Sequence, residues 1–376
     1  MSQTGIYVHW PYCSRICPYC DFNVYRARDR DPAPLLNAMI ADLEAHAARF
    51  GTREIVSLFL GGGTPSLLSG GDIAKLIDAA AGLFSLAPDC EITLESNPED
   101  ALGFADQQKA GVNRFSIGVQ ALDDAALKKL GRAHDVGQAL RAVDAAASTG
   151  ARVSLDMIYA REGQSVADWR VELARACALP AEHLSLYQLT IEDGTAFARK
   201  VARKQLTPPG ETLAADLYEA TQEVCEAAGF PAYEISNHAR SDGARSRHNA
   251  LYWRSQDWIG IGPGAHGRLT HAGVRIATEA HDDPNAYAAA VSQDGVGWSH
   301  HETLDARAVA DEFLLMGLRI KEGLAISALE ILRGAKLDEA KLAELRGLEL
   351  IEADNGFLRL SKSGRLLANR VALELS

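Results

Sequence analysis

Short apolar runs of strand character alternate with longer stretches at helical spacing over most of the chain. The run 5–10 (GIYVHW) predicts a strand, followed by a helix around 34–49; the run 54–60 (EIVSLFL) predicts a second strand, followed by a helix around 72–84. Strand 91–96 (EITLES), a helix near 101–109, strand 113–119 (NRFSIGV), helices near 123–130 and 137–148, and strand 152–158 (RVSLDMI) continue the rhythm. A helix near 166–178, strand 183–189 (HLSLYQL) and a helix near 211–228 bring the count to about six β-α units. Repeated units of this kind imply a parallel sheet, so the expected fold class is α/β, an open or partial (β/α)6 barrel. In such folds the loops that follow the strands carry ligands, and GGGTPS (61–66) and ESNPED (95–100) occupy that position.

Beyond residue 300 the pattern turns helical, with DARAVADEFLLMGLRI and KLDEAKLAELRGLELI, and closes on a turn and strand, DNGFLRLSKSGR. The expected division is therefore a large domain over 1–300 and a small helix-rich, winged domain over 301–376. An apolar fraction of 47% and a charged fraction of 23% are those of an ordinary globular protein, and no apolar run is long enough to span a bilayer. The amino terminus lacks the features of a secretory signal, which points to the cytoplasm. A net charge of −12 speaks against a nucleic-acid partner, although Arg240 to Arg247 forms a local basic run.

Three of the six cysteines fall within eight residues, in C-S-R-I-C-P-Y-C, while Cys90, Cys177 and Cys225 stand alone and read as inert buried thiols. The spacing of Cys13, Cys17 and Cys20 lets one loop place thiolates at three corners of an iron–sulfur cube and leaves one iron without a cysteine. The alternative is a zinc knuckle, which usually draws on a fourth Cys or His nearby, whereas Asp-Phe-Asn follows Cys20.

A strand followed by C-x-x-x-C-x-x-C and, after the next strand, by GGGTP resembles the radical S-adenosylmethionine (SAM) superfamily. YVHWPYCSRICPYCDFN, LGGGTPS, ESNP, RFSIGVQ, GRAHD, YEISN and HNALYW narrow the resemblance to its coproporphyrinogen III oxidase-like group, and within that to the heme chaperones, which share H-N-x-x-Y-W. The carboxy-terminal unit is similar to the small terminal domain of the same group. The resemblance implies a [4Fe–4S] cluster on Cys13, Cys17 and Cys20, whose open iron chelates SAM. It implies SAM contacts from Tyr7, Gly62, Gly63, Thr64, Glu95, Gln120, Arg132 and Asp156, with Gly61 to Gly63 admitting close backbone approach and Arg132 pairing with the SAM carboxylate.

For heme, the resemblance and the chemistry of imidazole single out His248 as an axial ligand, with Tyr252 and Trp253 as an aromatic wall; His9 and His266 are weaker candidates. The implied function is a heme chaperone, possessing a cluster and SAM, that passes heme to acceptor proteins such as respiratory membrane enzymes, with a homodimer as one assembly. The alternatives are an oxygen-independent coproporphyrinogen III oxidase and a cluster-bearing regulatory protein without a tetrapyrrole. The oxidases of this group bear a further cysteine two residues after the third, where this chain has Phe22. A second departure lies at Ala160 to Glu162, where the group shows a Gly-Leu-Pro-Gly-Gln-like turn of which Gly163 and Gln164 remain.

Overall fold

A computed structural model describes residues 3–28 and 30–376; Met1, Ser2 and Asp29 lie outside the described residues. The six expected strands form at Gln3–Trp10, Glu54–Gly62, Ser85–Ser96, Arg114–Gln120, Arg152–Tyr159 and His183–Gln188, and they pair in parallel in chain order. Helices cross back between them, which gives the α/β class and the partial (β/α)6 arrangement.

Alternation along the strands explains how one sheet serves two environments. In RFSIGVQ, Phe115, Ile117 and Val119 are fully buried against the helices, while Arg114, Ser116, Gly118 and Gln120 line an internal cavity. In RVSLDMIY, Val153, Leu155 and Met157 take the outer face, and Ser154 and Asp156 the inner one. His183, Ser185 and Tyr187 repeat the inner pattern on the sixth strand. Outward burial of leucines and valines, each contributing roughly 1.5–3 kcal/mol, supports a concave face whose fourth to sixth strands turn a largely polar row inward. Side-chain caps fix the helix starts: Ser69, Asp135 and Ser165 accept from the backbone N–H groups of Asp72, Gln138 and Asp168.

Residues 237–303 depart from the simple six-unit expectation, because they add five more strands to the same sheet. Asp257–Ile261 runs parallel to the first strand on its free edge, and His266–His271, Val274–Ala280 and Trp298–Thr303 extend that edge as an antiparallel meander. Asn237–Ala239 pairs antiparallel with the sixth strand at the opposite end. Among the described residues the completed sheet has eleven strands in an open order. Asp257 anchors the added edge, accepting from Arg53, Arg275 and both the N–H and hydroxyl of Thr270.

The chain leaves the sheet after Thr303, and helix Ala306–Gly317 begins a separate hydrophobic cluster around Leu314, Leu329, Leu358 and Val371. Three short antiparallel strands, Leu324–Ala325, Ile351–Asp354 and Phe357–Leu360, form the wing. Ion pairs from Arg268 to Glu312 and from Arg245 to Glu322 tie this unit to the sheet. Among the described residues, no helix is long and apolar enough to cross a membrane. The basic run is spent internally: Arg240 donates to the carbonyls of Ala181 and Cys177, Arg245 pairs with Glu322 and Asp242, and Arg247 with Asp89.

Candidate functional site

The concave face encloses a cavity of about 600 Å³. Its mouth is the loop after the first strand, which places Cys13, Cys17 and Cys20 on the cavity wall, with Cys13 buried and the other two half-buried. Cys20 N–H bonds the Cys17 carbonyl at 3.2 Å, closing a tight turn between two cavity-lining cysteines. A cubane needs its thiolates spread over three irons, and among the described residues no three His, Cys, Asp or Glu side chains gather as a single-ion site. Burial raises the Cys13 and Cys20 thiols, Cys20 to about 11, so without a metal both are protonated at neutral pH.

The glycine loop runs beneath the cysteine loop. Gly63 and Thr64 N–H groups bond the carbonyls of Trp10 and Tyr12, at 2.7 and 2.9 Å, which welds the two loops together. Gly62 has φ +102°, and a Cβ there would meet the His9 ring at 2.6 Å, so the position admits only glycine without displacement. His9 is itself fixed: its Nε2 donates to the Asn23 carbonyl at 2.9 Å, and Tyr7 donates to its Nδ1 at 2.9 Å. Burial holds this imidazole neutral. His9 is thus a prop for the glycine loop with both nitrogens occupied.

Glu95, at the end of the third strand, accepts from Gly62 N–H at 3.0 Å. Burial, and then the charge of Asp156, push its carboxyl up to about 8. Asp156 lies lower, in mid-strand, accepting from Ser116 Oγ at 3.0 Å; burial raises it to about 6. A carboxyl held protonated at Glu95 beside the largely ionised Asp156 fits a ligand that brings a positive charge and hydroxyl donors. Gln120 closes the fourth strand in a left-handed conformation, φ +65°, and lines the same wall. Arg132 reaches in from the following loop, donating to Cys17 Sγ at 3.4 Å, to the Gly118 carbonyl at 3.3 Å and to Asn97 Oδ1. Its Nε is buried with no partner among the described residues, a donor left for an incoming acceptor. All eight expected SAM-contact positions except Tyr7 and Asp156 lie at the upper ends of strands or in the loops after them, and those two face the cavity from below.

Sequence reasoning gave Asn97 no role, although ESNP is one of the quoted motifs. Its amide donates to Thr64 Oγ1 at 3.1 Å while its carbonyl oxygen takes Arg132, so it couples the glycine loop to the guanidinium. The loop at Ala160 forms with φ +57°, the left-handed conformation that a glycine would adopt without strain. It is held by Arg161, which pairs with Glu172, while Gln164 and Leu122 N–H also bond that carboxylate. A buried ion pair thereby replaces the Gly-Pro turn chemistry.

The floor of the cavity is helix Arg247–Trp253, whose start Ser246 caps by accepting from Asn249 N–H. His248 is buried, with Nδ1 2.8 Å from Ser57 Oγ and Nε2 2.6 Å from the Tyr252 hydroxyl, and the Phe59 ring stacks on it at 4.9 Å. Gly5 permits this packing: a Cβ there would sit 3.2 Å from His248 Nδ1 and 2.7 Å from Leu251. Burial alone lowers His248 to about 3, so it is neutral. Tyr252 lines the cavity, but Trp253, one residue on and about 100° round the helix, turns away and lies under Arg319, 5.4 Å from the ring centre. The two-ring aromatic wall is therefore reduced to Tyr252. His266 is exposed at the start of an added strand and does not line the cavity. Phe22 stands 62% exposed at the mouth.

Comparison with known proteins bears on this geometry. Residues 7–175 match the radical SAM superfamily, and residues 304–367 the HemN C-terminal domain. The heme chaperone HemW of Mycobacterium tuberculosis (strain ATCC 25618 / H37Rv) is 37% identical, covering 99% of this chain and 94% of that protein. The heme chaperone HemW of Escherichia coli (strain K12) is 41% identical over 73% of each chain. The mitochondrial radical S-adenosyl methionine domain-containing protein 1 of Danio rerio is 37% identical over 98% of this chain and 86% of its own. Among solved structures, the coproporphyrinogen III oxidase HemN from Escherichia coli superposes with a TM-score of 0.82 at 20% identity, covering all of this chain and 90% of that one; the likeness establishes the fold.

Proposed function

Because the chain belongs to the radical SAM superfamily and, within it, to the family of the HemW heme chaperones, we propose that it binds heme and hands it to acceptor proteins while holding a [4Fe–4S] cluster and SAM. The observation that carries this reading is one cavity with three thiols at its mouth, a proton-retaining Glu95 beside Asp156 in its wall and an aromatic floor, in a chain similar to heme chaperones from end to end.

Cys13, Cys17 and Cys20 hold the cluster in this proposal, which supplies an iron open to SAM and an electron for its cleavage. Arg132 pairs with the SAM carboxylate through the free edge of its guanidinium. Glu95 would accept a hydrogen bond from the SAM amino group beside the Gly62 and Gly63 backbone, with the Thr64 hydroxyl at the same loop. Gln120 and Asp156 take the ribose hydroxyls, and Tyr7 packs against the adenosyl side. Residues 1–300 act as the cluster- and SAM-binding domain and 301–376 as the small terminal domain. The setting is the cytoplasm; the acceptors include respiratory membrane enzymes, and two copies pair as a homodimer.

Anaerobic incubation of the cluster-loaded protein with SAM, reductant and coproporphyrinogen III, beside an active oxidase, tests the reading. The expected result is no protoporphyrinogen together with stoichiometric heme binding. Turnover of the porphyrinogen would make the chain an oxidase despite Phe22, and absence of both would leave a cluster protein without a tetrapyrrole.

A further inference from the structure

A second cavity, of about 660 Å³, opens between helices Asp124–Lys129, Val166–Cys177 and Ala196–Ala202, and among the described residues Leu189 alone also lines the first cavity. Its walls are aliphatic, from Ala125, Ala126, Leu130, Val171, Leu189 and Leu206, with the buried Phe197 ring beside them. Among the described residues no histidine, cysteine, methionine or tyrosine lines it, so it offers heme iron no ligand. The departure at Ala160 to Glu162 helps to build it. Arg161 and Gln164 bind Glu172 along one wall, and Glu162 accepts from Thr207 N–H at 2.7 Å, which ties down the chain that leaves helix Ala196–Ala202.

The charged groups around this cavity are unequally engaged. Each carboxylate has a partner within the fold: Asp123 accepts from Ala126 N–H at 2.7 Å, Asp168 from Ser165 Oγ at 2.6 Å, Glu162 from Thr207, and Glu172 from Arg161, Gln164 and Leu122 N–H. The cations that remain are loosely held. Lys129 stands 4.0 Å from Glu162, Lys200 lies over the Phe197 ring at 5.4 Å, and Arg175 reaches the Leu122 carbonyl at 3.4 Å. An aliphatic interior beside loosely held cations complements a ligand with an apolar chain and an anionic head.

Two of its walls rest on the cysteine loop. Phe197 N–H donates to the Pro18 carbonyl at 2.9 Å, and the Phe197 ring lies 6.2 Å from that of Tyr19. Leu130 leads into Gly131, where a Cβ would come within 2.5 Å of Pro18 Cδ. Pro18 and Tyr19 are the residues between Cys17 and Cys20. We propose that this cavity binds an aliphatic carboxylate, chemically a fatty acid, and that its occupancy steadies the turn between Cys17 and Cys20. Lys129, Lys200 and Arg175 surround the head group, and Leu130 and Phe197 lie along the chain. A chain that fills the cavity holds Leu130 and Phe197 against Pro18 and Tyr19, so the loop opens less often. The inference goes beyond the heme reading and needs neither a tetrapyrrole nor SAM.

The test uses the full, cluster-free chain and cis-parinaric acid, a fatty acid that fluoresces in apolar surroundings. Saturable binding to a single site is expected, weaker at high salt. Lys129→Glu combined with Lys200→Glu should weaken it about tenfold or more. Ala125→Trp, at an exposed position of the wall, should abolish binding and leave the thermal melt unchanged. Saturating palmitate should slow iodoacetamide labelling of Cys17 and Cys20, read by mass spectrometry, by about threefold or more in the parent and not at all in Ala125→Trp. No binding, or binding that either variant leaves at parent strength, overturns the site. Binding without slower labelling overturns the link to the cysteine loop. Displacement of the probe by metal-free protoporphyrin IX at lower concentration than by palmitate overturns the aliphatic assignment.

Discussion

Glu95→Gln should make the cluster-free protein more stable at alkaline pH. The Gln side chain keeps an oxygen for Gly62 N–H but has no proton to lose. In the folded protein, burial and the Asp156 charge raise the Glu95 carboxyl from 4.5 to about 8. At about 1.4 kcal/mol per unit, the rise corresponds to roughly 5 kcal/mol. Relaxation of the surrounding dipoles offsets part of it, so a loss of about 2–5 kcal/mol is expected. The sign follows from which state holds the proton: between pH 4.5 and about 8 the unfolded chain has released it and the folded one has not. This contribution is therefore fully present below pH 4.5 and lost as pH rises through 8. Denaturant unfolding at pH 5, 7 and 9 under reducing conditions should show the parent losing more stability than Glu95→Gln, with most of the gap already open by pH 7 and no further growth above about pH 8. Equal pH dependence in the two proteins would refute an interior carboxyl held against ionisation, and with it the argument that the cavity awaits a cation.

Gly62→Ala should lower stability by about 2 kcal/mol or more, because it forces an L side chain into φ +102° and against His9; a thermal melt within a degree of the parent would contradict this. Arg132→Met should weaken SAM binding to the cluster-loaded protein by about 10- to 100-fold, the value of a hydrogen bond to a charged group, with the cluster absorbance retained; calorimetric titration reads it. Asp257→Leu leaves Arg53 without its carboxylate and Arg275 with only Glu312 at 4.0 Å, and should cost about 3–5 kcal/mol, seen as an early loss of the sheet edge in hydrogen exchange.

The six β-α units are legible because each strand has a continuous apolar outer row: Phe115, Ile117 and Val119 announce their strand whatever lies on the other face. The added edge is far less so. Trp298–Thr303 is exposed or half-exposed throughout, so WSHHET has no apolar row to read, and it is a strand because Val274–Ala280 offers it a backbone to pair with. At the site, the cysteine spacing and the glycine loop are local in sequence and visible there. The partners that decide what His248 can do are not, since Ser57 lies 191 residues away. Asn97 is intermediate: its motif could be seen, but its bridge between Thr64 and Arg132 exists only once three strand ends meet. The polar inner row, Arg114, Ser116 and Gln120 with Ser154 and Asp156, is also written in the alternation, and its meaning as a cavity wall emerges only when the sheet curves.

The most direct test of the account is heme transfer. The hemin-loaded protein, with its cluster and SAM, is mixed with a heme-free respiratory membrane enzyme, and the acceptor's spectrum and activity are followed after separation. The account predicts that heme appears in the acceptor faster than from an equal concentration of free hemin and that the donor loses the same amount. Heme that stays with the donor, or an acceptor that fills no faster than from free hemin, would contradict it.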